Sequence, residues 1–246
     1  MDTLFISDLH LSPDRPHMLE LFRRLLEGPA RRARALYILG DLFEQFWVGN
    51  DDRTPPNSAI LETLRVFAAS GVPLRVLRGN RDLLLDKGFE PLSAAELLPD
   101  HAVIDLDGAR VLVMHGDLLC TRDTKYQRFR AFMEIPLVRG LFKALPYRLR
   151  TLLAHGLRPA FRRSAEFKPP EIIDVEQSAV EQTLRAHGVT ELVHGHTHRP
   201  AVHDFTLDGT PAKRYVLGDW YADPVMLVCR DGQKRLWRVV DYLEAG

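Results

Sequence analysis

The sequence predicts an α/β protein in which two packed sheets are covered by helices on both outer faces, and three observations lead there. In the first third of the chain, apolar runs of strand length alternate with amphipathic helical periods, the pattern of successive βα units. Further on, short strand signals follow one another directly, two of them joined at Asp107-Gly108, a dipeptide suited to a two-residue hairpin. The length, 246 residues, is enough to bury a full core in one large domain. Mixed βα and hairpin signals in a single chain favour two sheets packed between helical layers.

In order, the first strand, Leu4-Phe5-Ile6, leads into Asp8-Leu9-His10. A helix is expected near residues 17–27, with Met18, Leu21, Phe22, Leu25 and Leu26 on one face and Gly28-Pro29 as its stop. The second strand, residues 35–39, ends on Gly40-Asp41-Leu42-Phe43-Glu44. Residues 49–56 read as a loop, and a helix near 57–70 carries Ile60, Leu64 and Phe67 before stopping at Gly71. A third strand over 73–78 delivers Gly79-Asn80-Arg81-Asp82, and the second strand of the hairpin delivers His115-Gly116-Asp117. Beyond it come a helix near 174–186, a strand into His194-Gly195-His196-Thr197-His198, and short strands around 203–207, 214–217, 225–229 and 236–240.

Five apolar segments therefore end in oxygen or imidazole groups. Any one of them is compatible with an ordinary strand-to-loop turn, but five in this order point to a catalytic pair of Zn, Mn or Fe ions with no thiolate ligand. A carboxylate just past a buried strand also sits where open α/β sheets bind ligands. Asp41 is expected to be shared between the two ions.

The formal net charge is zero, so overall charge selects no partner. Cys120 and Cys229 form neither a disulfide framework nor a zinc spacing, which favours a reducing compartment. No signal peptide is expected at the N-terminus, and no run of about 18 apolar residues is present to span a bilayer. Residues 120–168 differ from the rest: twelve Lys or Arg stand against three acidic residues, apolar residues recur at helical spacing, and Pro136 and Pro146 divide the stretch into short helices. This reads as a basic amphipathic cap inserted between His115 and His196, suited to anionic, greasy surfaces. Arg139, Lys143, Arg148 and Arg150 are expected to meet an anionic membrane. The alternative is a solvated helical hairpin. A nucleic-acid partner is not expected, because regular aromatic interleaving is lacking.

The ordered set Asp-x-His, Gly-Asp, Gly-Asn, His-Gly-Asp and Gly-His-x-His resembles the calcineurin-like metallophosphoesterase superfamily over nearly the whole chain. Within it, residues 4–11, 37–44, 79–82 and 194–203 are similar to the UDP-2,3-diacylglucosamine diphosphatase family of lipid A biosynthesis. Many superfamily members carry a histidine where this chain has Arg81, and the arginine agrees with the narrower family. The resemblance implies a four-layer αββα metallophosphoesterase sandwich of two mixed sheets with a helical insertion cap, and two divalent metal ions, Mn²⁺. By motif it assigns Asp8, His10, Asp41 and His198 to one ion and Asp41, Asn80, His115 and His196 to the other. It implies catalytic roles for Asp41, Asn80 and Arg81, and substrate contacts from Asn80, Arg81, Asp123, Tyr126, Ser164, Lys168 and His196. The implied reaction is hydrolysis of an acylated UDP-sugar lipid at the α-phosphorus, on the cytoplasmic face of the inner membrane and without an obligate protein partner. A phosphodiesterase or nucleotide pyrophosphatase with a soluble substrate would use the same motifs. His194 and His203 are expected to support the site or the fold, and for Arg81 an ion pair with Asp82 is the alternative to a catalytic role.

Overall fold

The computed structural model describes residues 1–52, 54–154, 156 and 174–245. Strands β1 (Thr3–Ile6), β2 (Ala35–Leu39), β3 (Leu74–Leu77) and β4 (Glu96–Leu97) pair in parallel. The second sheet holds β5 (His101–Leu106), β6 (Ala109–Met114), β7 (Glu191–His194), β8 (Ala201–Leu207) and β9 (Thr210–Val216) in the order β5-β6-β7-β9-β8. Its central strands β6, β7 and β9 are parallel, and its two edges are antiparallel. The chain then returns to the first sheet, where β10 (Val225–Arg230) pairs antiparallel with β1 and β11 (Gln233–Arg238) forms the edge.

Side-chain alternation along the strands builds the layers. Leu4, Ile6, Leu36, Ile38, Leu74 and Val76 face the helices Pro16–Glu27 and Asn57–Ala68, where Phe22, Leu25, Leu64 and Phe67 cover them. The residues between them, Phe5, Tyr37 and Leu39, face the other way, onto Val111, Val113 and Val193 of the second sheet and Leu217 just past β9. The rings of Phe5 and Tyr37 stack in this middle layer at 4.8 Å. On the far side, Leu112, Met114 and Leu192 meet Val180 and Leu184 of the helix Gln177–His187. Each central strand thus supplies two cores at once, and every residue of β1 and β2 is buried. The αββα sandwich expected from the sequence is the architecture observed, with both sheets mixed.

Two local expectations change. The stretch 236–240 is not one strand: β11 ends at Arg238, and Val239–Ala245 is a helix that buries Val239 and Tyr242. Their spacing of three places both on one helical face, a pattern too short to outweigh the apolar run before it. The two-residue β4 was not anticipated because nothing that short carries a period. The turns, by contrast, follow their dipeptides. Asp107-Gly108, Asp208-Gly209 and Asp231-Gly232 each join two strands with both residues at positive φ, as a two-residue hairpin requires.

The described part of the insert is helical over Thr124–Glu134, Pro136–Ala144 and 147–154. Its charges do not lie as the sequence suggested. Arg139 donates to the Leu85 carbonyl at 2.6 Å, Lys143 pairs with Asp86, and Arg150 pairs with Asp51, so three of the four residues expected to meet a membrane bind the body of the protein instead. Arg148 stays exposed, as do Lys125 and Arg128. Of the apolar residues, Met133 and Phe142 pack on the core, but Leu137, Leu141 and Leu152 are 71%, 62% and 67% exposed, and Phe132, Ile135 and Leu153 are exposed as well.

Gly108 isolates the cost of a turn. A Cβ there would meet nothing within 4 Å, while φ is +86°. Gly108→Ala is expected to lower stability by about 1–2 kcal/mol through backbone strain alone, measured by chemical denaturation, with hydrolytic activity unchanged.

Candidate metal centre

The apolar strand ends bring their polar residues to one place between the sheets. Asp8 and His10 follow β1, Asp41 follows β2, Asn80 follows β3, His115 follows β6, and His196 and His198 follow β7. Parallel strands of both sheets point the same way, so their C-terminal loops share a rim. Asp8 and Asp41 are joined across that rim by the backbone: the Asp8 N–H donates to the Gly40 carbonyl at 3.1 Å and the His10 N–H to the Asp41 carbonyl at 3.0 Å.

Within the cluster the metal-type atoms face each other. The Nε2 atoms of His10 and His198 are 3.3 Å apart, and His198 Nε2 lies 3.3 Å from Asp8 Oδ1. On the other side, Asn80 Oδ1 lies 3.1 Å from His115 Nε2 and 2.9 Å from His196 Nδ1. Asp41 stands between the two groups, with Oδ2 at 3.6 Å from His10 Nε2 and Oδ1 at 3.7 Å from His115 Nε2. Asp8 also belongs to both sides: Asp8, His10 and His198 could hold one ion, and Asp8, Asp41 and His115 a second. All seven residues assigned to metal by motif are therefore brought together. Imidazole nitrogens and carboxylate or amide oxygens converging without thiolate form a donor set that fits borderline divalent cations.

Backbone and charge both carry a cost here. Asp8, His10, Asp41, His196 and His198 all have positive φ, a region that costs a side-chain-bearing residue on the order of 1–3 kcal/mol. Burial, together with the Asp82 and Asp8 carboxylates, pushes Asp41 up to about 7 even though His115 opposes the shift. Burial lowers His196 to about 4 and takes His10 well below the ordinary range. Burial would raise Asp8 too, but the contact from His198 and the charges of His115 and His10 outweigh it and lower it. A cation among these groups would favour ionised Asp41 and neutral imidazoles, which relieves the conflict.

Supporting groups orient the set. His115 Nδ1 donates to the Leu39 carbonyl at 2.8 Å, leaving Nε2 to face the cluster. His198 Nδ1 lies 3.0 Å from Asp219 Oδ2. Burial would lower His198, but hydrogen bonds with Asp219 and Asp8 overcome it and raise it to about 10. Asp82 is fully buried and accepts the backbone N–H groups of Gly79, Asp41 and Leu42, so it splints two motif loops and makes no ion pair with Arg81. Arg81 instead lays its guanidinium over the Phe46 ring at 5.5 Å, with Nε buried and unpaired.

Sequence reasoning missed Asp219, and it singled out Asp82 and Asp117 only as members of the polar strand endings, without the partners they have here. For Asp219 the signal was present, since residues 214–217 end on Gly218-Asp219 in the same way that β2 ends on Gly40-Asp41. Asp117 receives the Tyr126 hydroxyl and pairs with Arg130, which ties the His115 loop to the insert. Tyr126 places its ring 6.5 Å from that of His196, at the rim of the cluster. Asp123 caps the helix Thr124–Glu134 by accepting from the Tyr126 N–H at 3.2 Å. Ser164 and Lys168 lie outside the described residues, as does His155. His194 is structural: its Nε2 accepts from Arg214 at 3.2 Å.

Asp82→Ala would leave three buried N–H groups unpaired. It is expected to lower stability by more than about 3 kcal/mol, visible in the denaturant midpoint of the metal-free protein.

Comparison with known proteins agrees with this geometry. The family model for calcineurin-like phosphoesterase matches residues 1–200. A protein of Aeromonas hydrophila named UDP-2,3-diacylglucosamine hydrolase is 47% identical over 236 residues, covering 96% of this chain and 98% of the relative. Those of Aeromonas salmonicida (49% identity, covering 96% of this chain and 92% of the relative) and Pseudomonas aeruginosa (47%, 89% and 91%) carry the same name. The chain belongs to the calcineurin-like phosphoesterase family, whose members use divalent metals, and within it to the group named UDP-2,3-diacylglucosamine hydrolase.

Proposed function

We propose that this chain hydrolyses the pyrophosphate bond of UDP-2,3-diacylglucosamine by attack of water on the α-phosphorus, releasing UMP and 2,3-diacylglucosamine 1-phosphate for lipid A biosynthesis. The observation that carries this reading is the convergence of seven metal-type side chains in a chain 47% to 49% identical, nearly end to end, to relatives bearing that hydrolase name.

Two divalent ions, Mn²⁺ in this reading, would be held by Asp8, His10, Asp41 and His198 on one side and by Asp41, Asn80, His115 and His196 on the other. When bound, such ions polarise phosphoryl oxygens and make water nucleophilic at neutral pH. The chain's own groups do the rest. Asp41, whose two oxygens face opposite imidazoles, would supply the anionic charge that a pair of cations needs. The Leu39 carbonyl fixes the His115 tautomer, and Asp219 does the same for His198. Arg81 has no carboxylate partner among the described residues, so its guanidinium is free to meet the charge that grows on the phosphoryl oxygens in the transition state. In this reading the substrate contacts are Asn80 and Tyr126, which lie beside His196, together with His196, Arg81, Asp123, Ser164 and Lys168.

The exposed row from Phe132 to Leu153 gives the acyl chains an apolar surface, and exposed Lys125, Arg128 and Arg148 suit an anionic bilayer. The protein then works peripherally at the cytoplasmic face of the inner membrane; no described helix is long and apolar enough to cross one. A soluble nucleotide would leave that row without a purpose, which favours the lipid substrate over a soluble phosphodiester.

Asp41→Asn is expected to lose bound metal and to lower kcat more than about a hundredfold. His17→Ala, on the surface, is expected to change neither bound metal nor kcat beyond what a surface substitution does. Metal analysis and turnover of the two variants check this, and an active Asp41→Asn after chelation would refute the two-ion centre. On substrate choice, kcat/KM for UDP-2,3-diacylglucosamine is expected to exceed that for UDP-N-acetylglucosamine by at least about tenfold, because remote binding energy is used at the phosphorus. Equal values would favour the soluble-substrate enzyme.

A further inference from the structure

The segment that follows the Asp41 motif, residues 45–52, is held from two sides. Inside, the Trp47 ring lies 4.8 Å from Phe43 and 5.8 Å from Phe89 in the core. Outside, the insert reaches it. Arg150, only 5% exposed, donates to the Val48 carbonyl at 2.8 Å and pairs with Asp51, while the Tyr147 hydroxyl donates to Asp52 at 3.0 Å. Gly49 leaves room for this contact, since a Cβ there would overlap the Arg150 guanidinium.

The same segment holds Arg81. The Trp47 N–H donates to the Arg81 carbonyl at 3.0 Å, and the Phe46 ring lies 5.5 Å from the Arg81 guanidinium. On its other side the Arg81 N–H donates to Asp41 Oδ1 at 2.8 Å. Arg81 has no ion-pair partner among the described residues, so the segment places it in two ways: the Phe46 ring faces its long, rotamer-rich side chain and the Trp47 N–H holds its backbone. Val48 and Asp51, gripped by Arg150, stand one and four residues beyond Trp47. Arginine suits this grip because its planar fork reaches a carbonyl and a carboxylate together, which an ammonium group reproduces only in part.

We propose that Arg150 is a positioning residue for the hydrolysis: by latching the insert to residues 45–52 it sets where the Arg81 guanidinium stands. The seating of helix 147–154 then governs the phosphoryl end of the site, and a lipid resting on the insert helps to place the arginine that acts on its phosphate. This rests on the role given to Arg81 above. Packed segments that share a short loop can transmit such a constraint, but a path of contacts counts only when coupling is measured.

The test is a double-mutant cycle on the full-length, Mn²⁺-loaded protein with UDP-2,3-diacylglucosamine as substrate. Arg150→Met is expected to lower kcat by about tenfold or more while KM changes less than about threefold, with metal content unchanged. Arg150→Lys should recover part of that loss. In an Arg81→Ala background, adding Arg150→Met should change kcat less than about twofold. A merely structural arginine would give independent, multiplicative losses, and that result with an impaired Arg81→Ala overturns the proposal alone. An Arg81→Ala variant with parental kcat overturns the role given to Arg81 and the proposal with it. Should Arg150→Met fail to fold, Asp51→Asn on the segment combined with Tyr147→Phe on the insert loosens the same latch and leaves Arg150 in place; in the same cycle, multiplicative losses or a parental Arg81→Ala again overturn the proposal.

Discussion

Burying three carboxylates at one joint between two sheets is the constraint on which the rest of this structure depends. Asp8, Asp41 and Asp82 are all essentially inaccessible to water, and none has an arginine or lysine partner among the described residues. Buried charge is tolerated only with close donors or counter-charge. Asp82 solves the problem locally with three backbone N–H groups. Asp8 and Asp41 have imidazoles around them, and the upward displacement of Asp41 to about 7 shows that imidazoles alone do not suffice. The histidines, the left-handed loop ends and the closely approaching glycines all follow from having to bring compensation to these two groups. At Gly79 and Gly195 a Cβ would collide with Asp41 and Asp8 respectively.

Much of this was legible in the chain. The alternation of β1 and β2 between two cores is absent from their sequences, which are apolar at almost every position, and that uniformity is itself the mark of a strand covered on both faces. Strand ends that carry a carboxylate, amide or imidazole located all seven metal-type residues. What stayed hidden were groups whose importance lies in whom they touch. Asp82 looks no different from a ligand or an arginine partner until its carboxylate is seen beneath the N–H groups of Asp41 and Leu42. Asp219 shows the same Gly-Asp ending as Asp41, but its use is fixed by His198, twenty-one residues earlier.

The insert exposes a different limit of periodicity. A helix with one apolar and one basic stripe has two faces that repeat equally well, and the period alone does not say which one packs. The usual assumption sends the apolar face inward. Here Arg130 and Arg150 are buried against Asp117 and Asp51, whereas Leu137, Leu141 and Leu152 are left in the open. Ionic contacts, with Met133 and Phe142 packed on the core, fasten the insert to the body, while Leu137, Leu141 and Leu152 are left uncovered.

The five left-handed residues of the centre have one more implication. A chain selected only for durability would place glycine or asparagine at Asp8, His10, Asp41, His196 and His198, because every one of those positions is strained with the residue it has. Gains in heat resistance are therefore opposed at these five positions of the rim. Consensus or computational stabilisation that scored these five positions by folding energy would replace the side chains that converge at the centre while improving the scaffold.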